Sequence, residues 1–219
     1  VYFQGSLLDG DTAPSLGALG ATVERHELSR GAWVDVRPGW MTGADELFLR
    51  LQSEVPWRAE RREMYDSVVD VPRLLCFYDE TTELPDPVLV AAREALSAHY
   101  GPELGEPFRT AGLCYYRDGR DSVAWHGDRI GRGRLEDTMV AILSLGEHRR
   151  LSLRPAGGGE QLAGVPGPGR QMGRAFTLGH GDLVVMGGSC QRTWEHAVLK
   201  TAKPVGPRIS VQFRPAGVR

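Results

Sequence analysis

Residues 208–214 read RISVQFR. Arg208, Ser210, Gln212 and Arg214 alternate with Ile209, Val211 and Phe213, and a period of two specifies a β-strand with one polar and one apolar face. Two orientations are open to such a strand. Its charged face can lie in solvent, or it can point into the interior of a sandwich. In the second case the two guanidinium groups need anionic partners, because buried charge is costly unless paired. A dicarboxylate is such a partner, since an arginine can grip one end of it with paired hydrogen bonds.

Upstream of this strand, from about residue 109, short β-rich runs follow one another: LCYY, VAWHGD, DTMVAILSLG, RRLSLRP, AFTLGHGDLVVMGG and TWEHAVL. Gly, Pro and Asp punctuate them, a pattern that predicts a sandwich or barrel. His180–Gly181–Asp182 reads as a tight turn, and residues 156–173 (AGGGEQLAGVPGPGRQMG) as a long mobile loop. The first part of the chain differs. GAWVDVRPGW predicts a short strand and turn. DELFLRLQSEVPW, from Asp45, carries Leu47, Phe48, Leu51 and Val55 at helical spacing, with Thr42 as its cap. Residues 58–80 hold a charged stretch, then the strand PRLLCFYD behind Pro72. PDPVLVAAREALSAHYG predicts a second helix that stops at Gly101. The expected class is α+β: helices first, then a β-sandwich, in one domain over residues 7–219. Residues 1–6, VYFQGS, read as the remnant of an engineered protease site and linker and are set aside.

Hydrophobic residues make up 41% of the chain and charged residues 25%, an ordinary globular balance. No apolar run approaches the roughly 20 residues of a membrane span. The net charge of −2 argues against a protein that coats nucleic acid nonspecifically. Almost all the positive charge is arginine, however, with only two lysines, and arginine forks suit phosphate. One cluster holds Arg129, Arg132 and Arg134, and a second Arg149, Arg150, Arg154, Arg170 and Arg174. Three widely spaced cysteines form no disulfide or zinc pattern, so a reducing cytoplasm is the expected compartment. A monomer is expected.

In HGD, His126 and Asp128 are two residues apart, which on a strand puts both side chains on one face. An imidazole and a carboxylate suit Fe(II). A distant histidine would complete a two-histidine, one-carboxylate triad with open positions. His196, in RTWEHAVLK, is the leading candidate, and His180 and His148 are rivals.

Four segments together resemble the AlkB family of iron(II)- and 2-oxoglutarate-dependent oxygenases: YYRDGRDSVAWHGD, ILSLGEHRRLSLR, LGHGDLVVMGGSCQRTWEHAV and GPRISVQFR. The resemblance covers roughly residues 55–215. It implies a double-stranded β-helix, or jelly-roll, over about residues 109–215, with the N-terminal elements as a substrate lid at about 58–80. It implies that His126, Asp128 and His196 bind Fe(II), that Tyr116 contacts the cosubstrate 2-oxoglutarate, and that Arg208 pairs with its distal carboxylate. Arg214 matches the second arginine of the motif. Cys114 and Ser210 stand where many members have asparagines that help seat the cosubstrate, and Ile130 replaces an acid near the base. Met64, Tyr65, Arg73 and Tyr78 in the lid segment, and Arg129 beside the metal aspartate, are the substrate-contact candidates. The implied reaction uses O2 and 2-oxoglutarate to dealkylate bases in DNA or RNA, giving succinate, CO2 and formaldehyde. A protein, lipid or small-molecule substrate, or a nucleic-acid-binding module with weakened turnover, are the alternatives. The nucleic acid is expected to cross a basic rim of Arg73, Arg129 and some of Arg132, Arg134, Arg149 and Arg150.

Overall fold

A run such as VAILSLG, apolar at nearly every position, forms a stable strand only when both its faces are covered. The computed structural model of the chain shows that arrangement. It describes residues 13–64, 67–128, 131–157 and 173–218, and of these the side chains at 62–64 and 67–70 are outside the description. The chain begins with β1 (Ser15–Leu16), β2 (Glu24–Glu27), β3 (Ala32–Arg37) and β4 (Met41–Thr42). Helix α1 (Asp45–Glu54), the hairpin β5 (Arg58–Met64) and β6 (Ser67–Tyr78), and helix α2 (Pro87–Leu104) follow. Then come β7 (Thr110–Tyr116), β8 (Val123–His126), β9 (Val140–Gly146), β10 (Arg149–Pro155) and β11 (Arg174–Leu178). The chain closes with β12 (Asp182–Gly188), the single turn α3 (Cys190–Thr193), β13 (Trp194–Val198) and β14 (Arg208–Arg214).

Among the described residues the strands form an eight-stranded sheet, ordered β2-β3-β12-β9-β14-β7-β6-β5, a four-stranded sheet, ordered β11-β10-β13-β8, and a two-stranded pair, β1-β4. The pairings are antiparallel. Alternate residues of the central strands serve two cores. Leu113, Ala141, Leu143, Val185, Ile209, Val211 and Phe213 pack with Leu47, Phe48, Leu51, Leu89 and Leu96 of the helices. Cys114, Tyr116, Ile142, Val184 and Met186 face Leu151, Leu153 and Trp194 of the smaller sheet. Each fully buried leucine contributes roughly 1.5–3 kcal/mol. The expected jelly-roll with N-terminal helices is therefore the observed architecture.

Several boundaries differ from the sequence reading. Thr42 does not cap α1: it lies in β4, and Ala44 occupies the cap without a side-chain bond. Helix α2 is capped by Asp86, which accepts from the Val88 N–H at 3.0 Å, with Pro87 in its first turn. It runs through Gly101 and stops at Gly105, whose φ of 81° is left-handed and whose N–H returns to the Gly101 carbonyl at 2.7 Å. Strand β6 starts ahead of Pro72. The proline is tolerated because the β5–β6 register shifts between Ala59 and Arg61, opposite it, and its own carbonyl accepts from Ser122 N–H at 2.7 Å. The tight turn before β12 is present. Gly181 has φ 79°, and a Cβ there would lie 2.0 Å from the Met41 carbonyl oxygen.

Candidate active site

Strands β8 and β13 lie side by side, with His126 opposite His196 and their ring centroids 4.3 Å apart. HGD is not one strand face: β8 ends at His126, and Asp128 sits in the loop beyond it. Hydrogen-bonding partners, not the pleat, aim its carboxylate. The Asp128 N–H donates to Gln191 Oε1 at 3.0 Å, and Arg214 Nε donates to Asp128 Oδ2 at 2.7 Å. One donor atom from each of His126, Asp128 and His196 then lies within 4.8 Å of the others, a spacing that fits a single ion. His180 and His148 are not part of this group. His180 Nδ1 accepts from the Gly146 N–H at 2.8 Å and its Nε2 lies 3.3 Å from Asp45, which ties the β12 turn to α1. His148 is exposed beside Glu147.

The protonation states suit a metal. His126 Nδ1 donates to the Ala124 carbonyl at 2.8 Å, since a carbonyl can only accept, and its Nε2 faces Asp128 Oδ1 at 3.6 Å. Burial, reinforced by His126, pushes the pKa of His196 down to about 3, so the ring is neutral. Burial alone would raise the pKa of Asp128. Arg214, His196 and His126 outweigh it and hold the carboxyl at about 2. A neutral imidazole at His196 and an ionised carboxylate at Asp128 are ligand forms that Fe(II) requires.

The polar face of β14 points inward. Arg208 and Ser210 are each 2% exposed and Arg214 is 9% exposed, all on the inner side of the sandwich. Arg208 lies across from Tyr116 on β7 and Gly146 on β9. Its Nε donates to Ser144 Oγ at 2.9 Å, its guanidinium stands 5.3 Å from the Tyr116 ring centroid, and its Nη1 has no partner among the described residues. Burial lowers the pKa of Arg208 and raises that of Tyr116 to about 12. A buried guanidinium with a nitrogen unpartnered among the described residues fits a carboxylate of a dicarboxylate. Ser210 and Cys114 are paired across β14 and β7 within the same interior.

The substrate candidates fare differently. Arg73 is half-buried and donates to the Ser122 carbonyl at 3.0 Å. Tyr78 is a correction: it is buried in the core between the large sheet and the helices, because the β-alternation turns it away from the sandwich interior. Tyr65, Arg129, Ile130 and the side chain of Met64 lie outside the described residues, as does Arg170. In the basic rim, Arg134 and Arg150 are exposed, whereas Arg132 pairs with Glu106 and Glu136. Arg149 does not belong to the rim. It is 4% exposed and donates to the carbonyls of Asp118, Asp121 and Leu199, which fastens the loops at this end. Sequence reasoning missed Gln191 and Gln212, both hydrogen-bonded to site residues. Gln212 was visible on the polar face of RISVQFR, whereas nothing local marked Gln191.

Comparison with known proteins agrees with this geometry. Residues 41–214 match the 2OG-Fe(II) oxygenase superfamily. The chain is 29% identical over 181 residues to the alpha-ketoglutarate-dependent dioxygenase alkB homolog 3 of Bos taurus, covering 78% of this chain and 61% of that protein. It is 34% identical over 135 residues to the DNA oxidative demethylase ALKBH2 of Arabidopsis thaliana, covering 56% and 42%. The chain thus spans about three fifths of the length of the alkB homolog 3 proteins it matches. In three dimensions it resembles a Pseudomonas putida prolyl-4-hydroxylase with a TM-score of 0.52 at 16% identity, covering 84% of this chain and 93% of that one.

Proposed function

Because this chain belongs to the 2OG-Fe(II) oxygenase superfamily, we propose that it removes alkyl groups oxidatively from nucleobases of DNA or RNA. For an N-methyl base the balance is substrate, 2-oxoglutarate and O2 giving the free N–H base, formaldehyde, succinate and CO2. The observation that carries the reading is that a metal-competent triad from the small sheet and a buried arginine of the facing large sheet, with a nitrogen unpartnered among the described residues, are both present in one sandwich. The relatives named for alkB and for DNA oxidative demethylation supply the substrate class.

Within this reading the bound iron and its cosubstrate supply the oxidising chemistry, and the protein orients them. His126, Asp128 and His196 hold the metal, with Arg214 keeping Asp128 ionised and turned inward. Arg208 holds the far carboxylate of 2-oxoglutarate, with Tyr116 beside it. The sandwich wall of Leu151, Leu153 and Trp194 excludes water from the interior. The β5–β6 hairpin acts as the lid and the arginines of the rim hold phosphates. Unstacking a base costs a few kcal/mol, less for a lesion that cannot pair.

Mass spectrometry of methylated DNA and RNA oligonucleotides, with and without 2-oxoglutarate, tests the proposal. The expected result is cosubstrate-dependent loss of methyl groups with release of formaldehyde. Succinate formation that is indifferent to nucleic acid would shift the substrate to a protein, lipid or small molecule. Oligonucleotide binding with no turnover would leave a binding module.

A further inference from the structure

Gln212 lies on the inner face of β14 between Ser210 and Arg214, opposite Gly112 of β7. Its Nε2 donates to Ser210 Oγ at 3.2 Å and to Cys114 Sγ at 3.3 Å, and its Oε1 accepts from Arg214 Nη2. Arg214 donates from Nε to Asp128 Oδ2. One carboxamide therefore joins the hydroxyl and thiol of the inner pocket to the carboxylate of the metal centre. Gly112 makes the room: a Cβ there would come within 3.0 Å of Arg214 Nη1.

The polarity of the amide matters. A guanidinium offers only donors, so the group facing Arg214 must accept. Ser210 Oγ already accepts from Gln212, which leaves its own O–H to point elsewhere in the pocket. With Oδ2 of Asp128 taken by Arg214, Oδ1 is the oxygen on the side of His126 Nε2.

We propose that Gln212 is a positioning residue that orients Arg214 against Asp128, so that Oδ1 faces the metal, and turns the Ser210 hydroxyl toward the cosubstrate. This rests on the reading of the site as an iron and 2-oxoglutarate centre. It also explains how the pocket works with Cys114 and Ser210 where many members of the family carry asparagines: the carboxamide is supplied instead by Gln212, two residues along β14.

The test measures Mn(II) affinity by electron paramagnetic resonance, without turnover, and then 2-oxoglutarate affinity of the Mn(II)-loaded protein by calorimetry. Gln212→Leu removes both ends of the bridge. It is expected to weaken Mn(II) binding by about tenfold, the scale of losing an outer partner of a metal ligand. Gly112→Ala, which keeps Gln212 but crowds Arg214, is expected to weaken Mn(II) binding in the same direction. Gln212→Glu keeps an acceptor for Arg214, so Mn(II) affinity stays near wild type. It loses the donor and puts a negative charge beside an anion pocket, so 2-oxoglutarate affinity falls by about tenfold or more, the worth of one hydrogen bond to a charged group. Wild-type Mn(II) binding in both Gln212→Leu and Gly112→Ala overturns the proposal alone. A wild-type protein that binds no Mn(II) overturns the iron-centre reading together with it.

Discussion

Replacing Arg208 by methionine should separate ligand binding from folding, with opposite signs on the two. In the ligand-free protein Arg208 is a charge buried to 2% exposure, with Nε on Ser144 Oγ and Nη1 unpartnered. Burial already pulls its pKa down, a sign that the charged form is poorly solvated there. Methionine fills much of the same volume without charge. Losing the Ser144 bond costs about 1 kcal/mol, while replacing a buried charge by a well-packed apolar group is neutral or stabilising by about 1–4 kcal/mol. The metal-free variant should therefore unfold in urea at a midpoint equal to or above that of wild type. Ligand binding should respond the other way. Truncating one partner of a buried charge pair costs about 2–5 kcal/mol, or at least about 30-fold in affinity. At about 100 Kd of 2-oxoglutarate, wild-type protein gains about 2.7 kcal/mol of stability, and the variant should gain no more than about 0.9 kcal/mol at that concentration. A variant that loses more than about 2 kcal/mol without ligand, yet keeps the wild-type response to 2-oxoglutarate, would show that Arg208 is a paired structural group and would sink the argument.

Asp128→Ala should do more than abolish metal binding. It strands the Arg214 guanidinium, so a loss of about 3–5 kcal/mol is expected in denaturant melts, partly restored when Arg214→Met is added. Acid should weaken the metal-free protein in two stages. His196 binds its proton near pH 6.5 when unfolded but near 3 when folded, so stability falls as pH drops below about 6.5. Asp128, held at about 2 against an ordinary 3.8, adds a further loss below about pH 4, and a melting series from pH 8 to pH 3 that stays flat would contradict both. Gly181→Ala forces a side chain into a left-handed turn against the Met41 carbonyl and should cost at least about 1–3 kcal/mol, measured by thermal melting. Arg73→Ala combined with Arg129→Ala should weaken binding of methylated oligonucleotides and reduce the slope of log affinity against log salt by up to about two. Identical salt titrations for this variant and wild type would remove these residues from the binding surface.

Wherever period-two alternation was strong, the sequence was a good guide to the strand. RISVQFR shows a clean division, Ile209, Val211 and Phe213 toward the helices and the polar set inward. The alternation alone could not say which side was core, because both faces are buried and the inner polar face is paid for by ion pairs and hydrogen bonds that link distant residues. The triad was legible as residue types, but the geometry of Asp128 was not. It depends on Arg214, 86 residues later, and on Gln191, and no local pattern encodes such partners. The β5–β6 hairpin was half hidden by Pro72, which reads as a strand start until the register shift on the neighbouring strand is seen. Tyr78 was misjudged for a related reason: a one-residue difference in register decides whether an aromatic faces the site or the helices.

The dependence of Asp128 on Arg214 has a mechanical meaning. The two histidines belong to the small sheet, whereas the arginine that grips Asp128 belongs to the large one. An ion held by all three ligands would act as a rivet, tying the small sheet through Asp128 and Arg214 to a large sheet with which its strands share no backbone pairing among the described residues. Among the described residues β8 pairs with β13 alone and lies at the border of its sheet, so it gains most from such a fastening. Chelation should then loosen this corner first: amide exchange at Val123–His126 should quicken while β9 and β14, enclosed on both sides, keep their protection.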